Sequence, residues 1–475
     1  MSLENLTIMR HELLLIAAAL LVLIAEIFWN PGKKRSISLF SIVLFALITV
    51  AGFLPSPDGS LFGGMYEASA TRVLMKNILN IGALLVFIQS VTWLNKKENS
   101  EKISEYFILL ISTLVGMNFM ISAGHFLMFY IGIELATIPI AALAAFDRYK
   151  NNSAEAGIKL ILSSALSSGI LLFGLSMIYG TTGTFYFNEV SKLFLNNNLQ
   201  LLGFIFFFAG MAFKISIVPF HLWTADVYEG SPVNVTSYLS VISKGAAVFI
   251  LIILLFTVFP VIMVTWQKTI YVTAVLTMTI GNLFAIRQQN LKRFLAFSSI
   301  SQAGYILLGF IGGNQLGMAS VIYYVLVYIF SNLGAFGVVA AISNVSGKEN
   351  IEDYNGLYHT NPGMSLIMTL ALFSLAGIPP VAGFFGKFFL FTAAAQKGYY
   401  FLVLIAVLNT IISLYYYLLV VKAMFISKSE TPIEKFKSDF PTRFALAICV
   451  AGIVITGFAS VLFEVIKEIS YGVKL

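Results

Sequence analysis

The sequence predicts an all-α polytopic membrane protein of about fourteen transmembrane helices, with two inverted five-helix repeats that each contain a broken helix. Composition is the first reason: of 475 residues 59% are hydrophobic and 11% charged, where a soluble domain carries about 25% charged residues. Mean hydropathy is +0.89. The second is that apolar runs long enough to cross a bilayer, about 20 residues each, recur along the whole chain. The third is that prolines interrupt two of those runs at membrane depth, Pro219 in one and Gly377-Ile378-Pro379-Pro380 in the other. Proline removes a backbone donor and clashes with the preceding turn. Freed backbone inside hydrocarbon is tolerated only against protein interior or a water-filled cavity.

The same composition excludes several classes of function. The net charge is +7, but the basic residues fall in short runs between apolar spans. That is the pattern of the positive-inside rule, and no nucleic-acid partner is expected. Cys449 is the only cysteine, so no disulfide, cysteine zinc site or iron–sulfur cluster can be built within this chain. Of His11, His125, His221 and His359 only His221 is expected at membrane depth, which argues against a two-histidine haem site. No nucleotide-binding glycine loop, G-x-S-x-G elbow or H-E-x-x-H motif occurs. Residues 1 to 30 read as a first transmembrane helix and not as a cleaved leader, because Glu4 and Glu12 replace a basic start and Lys33-Lys34-Arg35 follows as an anchor.

In order, the spans are predicted near 12–29, 37–54, 73–94, 105–122, 125–146, 156–179, 200–227 (broken), 233–257, 267–286, 294–312, 318–341, 362–397 (broken), 400–426 and 442–465. Residues 1–104 form three peripheral helices. Residues 105–257 and 267–426 form the two five-helix repeats, and 427–475 a loop with the fourteenth span. An odd number of helices per repeat inserts consecutive copies in opposite orientation, the arrangement of many secondary transporters with an ion site near the midplane. In the first broken helix Lys214 precedes its proline by five residues; in the second Lys387 follows Pro380 by seven.

Loops after odd-numbered spans carry Lys33-Lys34-Arg35, Lys96, Lys97, Lys102, Arg148, Lys150, Arg287, Lys292, Arg293, Lys348, Lys428, Lys435 and Lys437. Loops after even-numbered spans carry chiefly Arg72, Lys192, Lys268 and Lys397. The first set is therefore expected in the cytoplasm and both termini on the opposite side.

The ionisable residues weighed inside predicted spans are Glu134, Lys159, Lys214, Lys244 and Lys387. A charge at the bilayer centre costs about 2.5–3.5 kcal/mol even on the lenient insertion scale. An interior salt bridge or snorkelling to the interface could account for each. For Glu134, Lys214, Lys244 and Lys387 the functional reading is preferred, because intramembrane ionisable residues mark ion and proton paths. Lys159 lies one turn after Glu155 in a favourable helical spacing, so a local pair explains it as well as a path does. Desolvation favours a neutral lysine and a nearby carboxylate favours a charged one. A lysine with a movable carboxylate can thus hold and release a proton, and a row of them titrates as a coupled set. Glu134 with Lys214 is the candidate switch, Lys244 the central carrier and Lys387 the terminal one. His221 could bridge them or cap freed backbone. Glu26 in the first span is assigned to a helix or subunit contact.

Three stretches, FKISIVPFHLWTADVYEGSP (213–232), LKRFLAFSSISQAGY (291–305) and LAGIPPVAGFFGKF (375–388), resemble the antiporter-like membrane subunits of respiratory complex I (NADH:quinone oxidoreductase) and their relatives in Mrp-type cation/proton antiporters. The resemblance covers roughly residues 105–425. DVYEGSP followed by SKGAA, the moderate length and the absence of a long extension after the fourteenth span resemble one branch of that family. The resemblance implies fourteen helices and a proton path through both repeats as half-channels. It also implies a glutamate in helix five and lysines in helices seven, eight and twelve, which fall here on Glu134, Lys214, Lys244 and Lys387. Relatives often carry a histidine where this chain has Gln302, so a relay through that point must use water or another side chain. The resemblance implies no cofactor in this chain; NADH, FMN, iron–sulfur clusters and quinone belong to partner subunits.

The reading is a proton-translocating subunit in a bacterial cytoplasmic (inner) membrane. Its partners are other membrane subunits, including further antiporter-like ones, a peripheral redox arm acting indirectly, the lipid bilayer and protons. A subunit of an Mrp-type Na⁺(K⁺)/H⁺ antiporter, and a structural membrane subunit whose buried charges only pair with neighbours, are the alternatives.

Overall fold

The structure is a computed structural model that describes residues 3–28 and 34–473. Trp29 at the end of the predicted first span, Lys33 of the following basic loop, and the side chains of Lys34 and Arg35 lie outside them. Among the described residues twelve helices are long and apolar enough to cross a membrane, and the shorter Ser36–Gly52 and Pro362–Ala376 fall where the second and twelfth spans are predicted. The chain is a multi-pass membrane protein. Its contacts group into two compact units, one from the described residues of Met1–Lys214 with Ile242–Val261, the other from Ile215–Val241 with Ile262–Val473. Both predicted breaks are present. The seventh span stops at Ile215 and resumes as Leu222–Gly230; the twelfth stops at Ala376 and resumes as Ala382–Gln396.

In the first unit, side-chain caps set where helices begin. Ser69 starts Ala70–Leu94 and accepts from Arg72 N, while His125 starts Phe126–Ala144 and accepts from Leu127 N; a cap of this kind satisfies one of the orphan amides of the first turn. A short hairpin, Gly59–Leu61 against Tyr66–Ala68, joins spans two and three. Span eight ends in KGAAVFILIILLFT, and its residues from Lys244 to Phe256 are buried within the protein. Spans four and five touch backbone to backbone: a Cβ on Gly116 would stand 2.4 Å from Ala136 N, and one on Gly132 would stand 2.7 Å from Met120 N. Small residues at such crossings are how membrane helices pack without a hydrophobic driving force.

In the second unit, Leu291–Gly312 and Gln315–Ser346 form the centre; the best apolar windows are 100% and 94% buried. Asn290 and Asn314 cap their starts, and Gly313 and Gly347 end them in the left-handed region. Spans nine and ten repeat the close approach, Gly304 lying 2.7 Å at its would-be Cβ from Met278 N and Gly281 2.7 Å from Ser301 N. The position in each predicted repeat, first helix against second, is the same.

His11, near the start of the first span, is 2% exposed and shares a 2.9 Å hydrogen bond with Asn77. Glu12 is an interior residue of that span with no exposed surface. Arg72 is not a loop charge but a buried residue of Ala70–Leu94 paired with Glu67 at 2.7 Å. Lys292 and Arg293 belong to the tenth helix and are matched by Glu349, Asp226 and Glu229. The partners of Lys292 and Arg293 are distant in sequence, whereas that of Arg72 lies on the adjoining hairpin; a charge that finds such a partner can enter the interior. The predicted last span also divides, Phe440–Phe458 being followed by a separate helix, Ser460–Ile469.

Candidate functional site

Lys214 lies in the last turn of Asn198–Ile215, where the helix ends before Ser216, a non-glycine residue at φ +66°. Its Nζ donates to the Thr137 hydroxyl of span five, and Thr137 in turn donates to Ile133 O at 2.5 Å. Glu134 lies three residues before Thr137, so both face the same way from one helix. The Glu134 Oε1 atom is buried and accepts no hydrogen bond from any described residue, while its carboxylate acts on Lys214 electrostatically. The first unit thus brings the candidate switch together: a lysine resting on a hydroxyl, with a carboxylate one turn away. Lys244 belongs to the same unit. It is 5% exposed and begins Lys244–Thr257 directly after a π-helical turn, Leu239–Ser243. Such π turns inside helices recur at functional sites, where they re-aim side chains.

Lys387 sits in the second unit. It is 3% exposed, its Nζ donates at 3.0 Å to the carbonyl of Ala376, and it stands 4.3 Å from the centroid of the Tyr305 ring. Ala376 is the last residue of the first half of span twelve, and the terminal carbonyls of a helix carry unsatisfied partial negative charge. The broken helix therefore supplies an acceptor to the lysine of its own second half. Gly377 follows at φ +85°, and a Cβ there would come 3.0 Å from Lys387 Cδ, so glycine both makes the turn and leaves room for the lysine stem.

Gln302 occupies the neighbouring carbonyl. Its Nε2 donates to Leu375 O at 3.0 Å and to the Tyr417 hydroxyl at 3.2 Å, and its Oε1 accepts from the Tyr324 hydroxyl. Tyr417 shares a 2.5 Å bond with Ser298; next to it Tyr416 donates to Asn282 Oδ1 at 3.0 Å, and Asn282 donates to Asn409 O at 2.9 Å. The point where sequence found no titratable group is thus a junction of tyrosine hydroxyls and amides.

His221 stands at the start of Leu222–Gly230 within the break of span seven, 8% exposed, and its carbonyl accepts from Thr224 N at 3.0 Å. Lys159 pairs with Glu155 at 2.7 Å, with 40% and 61% of those side chains exposed. Glu26 is half-buried in Arg10–Phe28. His221, Gln302 and Lys387 fall in one unit, and Glu134, Lys159, Lys214 and Lys244 in the other.

Two further groups escaped the sequence. Lys76 of span three bonds Glu12 at 2.6 Å, and the Tyr66 hydroxyl touches both, donating to Glu12 at 2.9 Å and accepting from Lys76 at 3.0 Å. Lys76 lies within the apolar run LMKNILN, the signal that could have found it. The other is the lock on the DVYEGSP segment. Arg293 Nη1 lies 2.8 Å from both Asp226 and Glu229, and Lys292 bonds Ser231 O at 3.2 Å. Two of the three stretches that define the resemblance therefore hold each other. Among the described residues no group of three or more His, Cys, Asp or Glu side chains could hold a metal ion.

The transmembrane family described as NADH:quinone oxidoreductase/Mrp antiporter matches residues 123–413. Proteins named NADH-quinone oxidoreductase subunit N are 51% identical in Phocaeicola vulgatus, over 97% of this chain and 98% of that one, and 50% identical in Azobacteroides pseudotrichonymphae, over 100% and 99%. Among solved structures, a chain of respiratory complex I from Thermus thermophilus with bound aureothin superposes with a TM-score of 0.79 at 25% identity, covering 97% of this chain and 100% of that one. A chain of the Mrp complex from Dietzia gives 0.84 at 21% identity, covering 98% and 97%. The chain belongs to the NADH:quinone oxidoreductase/Mrp antiporter transmembrane family.

Proposed function

We propose that this chain is the N-type proton-translocating membrane subunit of a NADH:quinone oxidoreductase, moving protons while redox chemistry proceeds in other subunits. The observation that carries the reading is half identity over the full length to relatives named as that subunit. The buried lysines support it with a chemistry of their own. Lys214 rests on Thr137 with Glu134 one turn away; a shift of the carboxylate towards or away from the ammonium changes whether the proton is held. Lys244 is the central carrier. Lys387, on its helix-end carbonyl, is the terminal one, and the Gln302–Tyr417–Tyr324 junction supplies hydroxyls that can pass a proton beside it. His221 bridges at the break of span seven, and Lys159 acts near the membrane surface, where it pairs with Glu155.

On this reading residues 105–257 and 267–426 are inverted half-channels, and 1–104 and 427–475 flank them. The membrane is the bacterial cytoplasmic one, with both termini on the non-cytoplasmic side. Partners are further antiporter-like membrane subunits and, indirectly, a peripheral redox arm that holds NADH, FMN, iron–sulfur clusters and quinone. This chain holds none of them.

The test is Lys214→Ala in native membranes, with assembly checked on a native gel and NADH:quinone electron transfer and proton pumping measured side by side. Loss of both in an assembled complex is expected. Full pumping would move Lys214 and Glu134 to a structural role. A second reading, an Mrp-type Na⁺(K⁺)/H⁺ exchanger subunit, is favoured by the match to the Mrp complex; cation-dependent pH change in vesicles lacking redox subunits would select it.

A further inference from the structure

A cavity of about 330 Å³ opens where two transmembrane helices begin side by side, Pro362–Ala376 and Phe440–Phe458. Its rim carries Lys435, Lys437 and Arg443, and its wall is apolar, with Met364, Ile367 and Leu446. The loop that brings the two lysines is fastened there by one side chain. Asn361 Nδ2 donates to Glu434 O at 3.1 Å, and its Oδ1 accepts from Phe436 N at 3.2 Å. Asn361 stands at the N-cap of Pro362–Ala376, yet its side chain makes no cap hydrogen bond. The polar group that would ordinarily close the helix start is spent on positioning the basic loop instead.

The first turn of that helix is thereby left uncapped beside three cations, with Gly363 next to open space: a Cβ there would meet nothing within 4 Å. Uncapped amides and the positive end of the helix dipole favour an anion. The acidic neighbours are Glu434, whose carbonyl is the one held by Asn361, and Asp439, which precedes the second helix. On the same two helices Leu366, Phe440 and Phe444 are 55%, 69% and 48% exposed, as side chains facing acyl chains can be. A basic rim above an apolar slot, at the ends of two membrane helices, is complementary to an amphiphile carrying a phosphate.

We propose that this cavity binds the headgroup of an anionic glycerophospholipid, its phosphate among Lys435, Lys437, Arg443 and the first amides of Pro362–Ala376, and an acyl chain along the slot beside Ile367 and Leu446. The site does not depend on how protons move through the chain.

The test is a native mass-spectrometric titration of the full-length chain, purified with its membrane partners and delipidated. The probes are phosphatidylglycerol and phosphatidylcholine, with inorganic phosphate as competitor, and the wild type is compared with two variants. K435Q/K437Q/R443Q removes exposed charges only, and Gly363→Leu fills the slot where no atom is met. One saturable phosphatidylglycerol adduct is expected in the wild type, with phosphatidylcholine bound far more weakly and excess phosphate without effect. Each cation near a membrane surface is worth roughly fivefold, so the triple variant should weaken binding on the order of 100-fold, and Gly363→Leu should weaken it with the charges intact. Equal uptake of both lipids, displacement by inorganic phosphate, or unchanged binding in both variants would each overturn the proposal.

Discussion

Glu12 and Lys76 meet at 2.6 Å with 0% and 1% of their side chains exposed. This pair, bridged by Tyr66, ties the first span to the third beside the His11–Asn77 hydrogen bond. Removing one member of a buried pair leaves an uncompensated charge, which costs about 3–5 kcal/mol. Lys76→Met is therefore expected to lower the thermal stability of the purified chain sharply, whereas Glu12→Gln with Lys76→Met should recover most of the loss. Thermal unfolding in detergent reads both; equal losses in the single and double variants would show that the charges are not coupled.

Thr137 is the acceptor under Lys214. Thr137→Val keeps the shape and removes the hydroxyl, and an unsatisfied buried donor costs about 1–3 kcal/mol. Coupled NADH oxidation should fall roughly tenfold, since 1.4 kcal/mol corresponds to a factor of ten. Thr137→Ser should restore it. Wild-type rates in Thr137→Val membranes would remove Thr137 from the path.

At Gln302 the contact is with a helix-end carbonyl and two tyrosines. Gln302→Leu strips all three and is expected to slow proton pumping several-fold in an assembled complex. Gln302→His, which can donate to the same carbonyl and also titrate, should pump better than the leucine variant. Indistinguishable pumping by the two variants and the wild type would mean that the junction is structural.

Gly116 separates a tolerated from a forbidden change. A Cβ there would stand 2.4 Å from Ala136 N, but one on Gly169 in span six would meet nothing within 4 Å. Gly116→Val is expected to destabilise by about 1–3 kcal/mol or more through overpacking, and Gly169→Val to stay within about 0.5 kcal/mol. The same thermal assay in detergent distinguishes them; similar losses at both sites would argue against backbone contact between spans four and five.

The spans could be read from sequence because hydrocarbon admits only long apolar helices, and the breaks because Pro219 and Gly377-Ile378-Pro379-Pro380 cannot continue a helix. Glu134, Lys214, Lys244 and Lys387 were legible as charges deep within apolar runs. What sequence hid was pairing. Glu12 opens its predicted span and Lys76 lies four residues into its own, and nothing in either run points to a partner 64 positions away. Arg293 and Lys292 were counted as loop charges for the same reason. Tyr305, Tyr324, Tyr416 and Tyr417 were hidden differently: tyrosine in a membrane chain ordinarily reads as a lipid-interface anchor, and only the fold turns these four inward onto Gln302, Asn282 and Lys387.

The glycine crossings have a mechanical corollary. Helices that touch along their backbones can neither slide nor roll past one another without collision, so spans four and five behave as one stiff strut, as do spans nine and ten. The interrupted helices lack that continuity: Ser216 and Gly377, each at positive φ, mark the joints where the helical ladder stops. Strain arriving at either unit from outside would therefore concentrate at the joint beside a lysine, at Lys214 in the one and Lys387 in the other, instead of dissipating along the bundle.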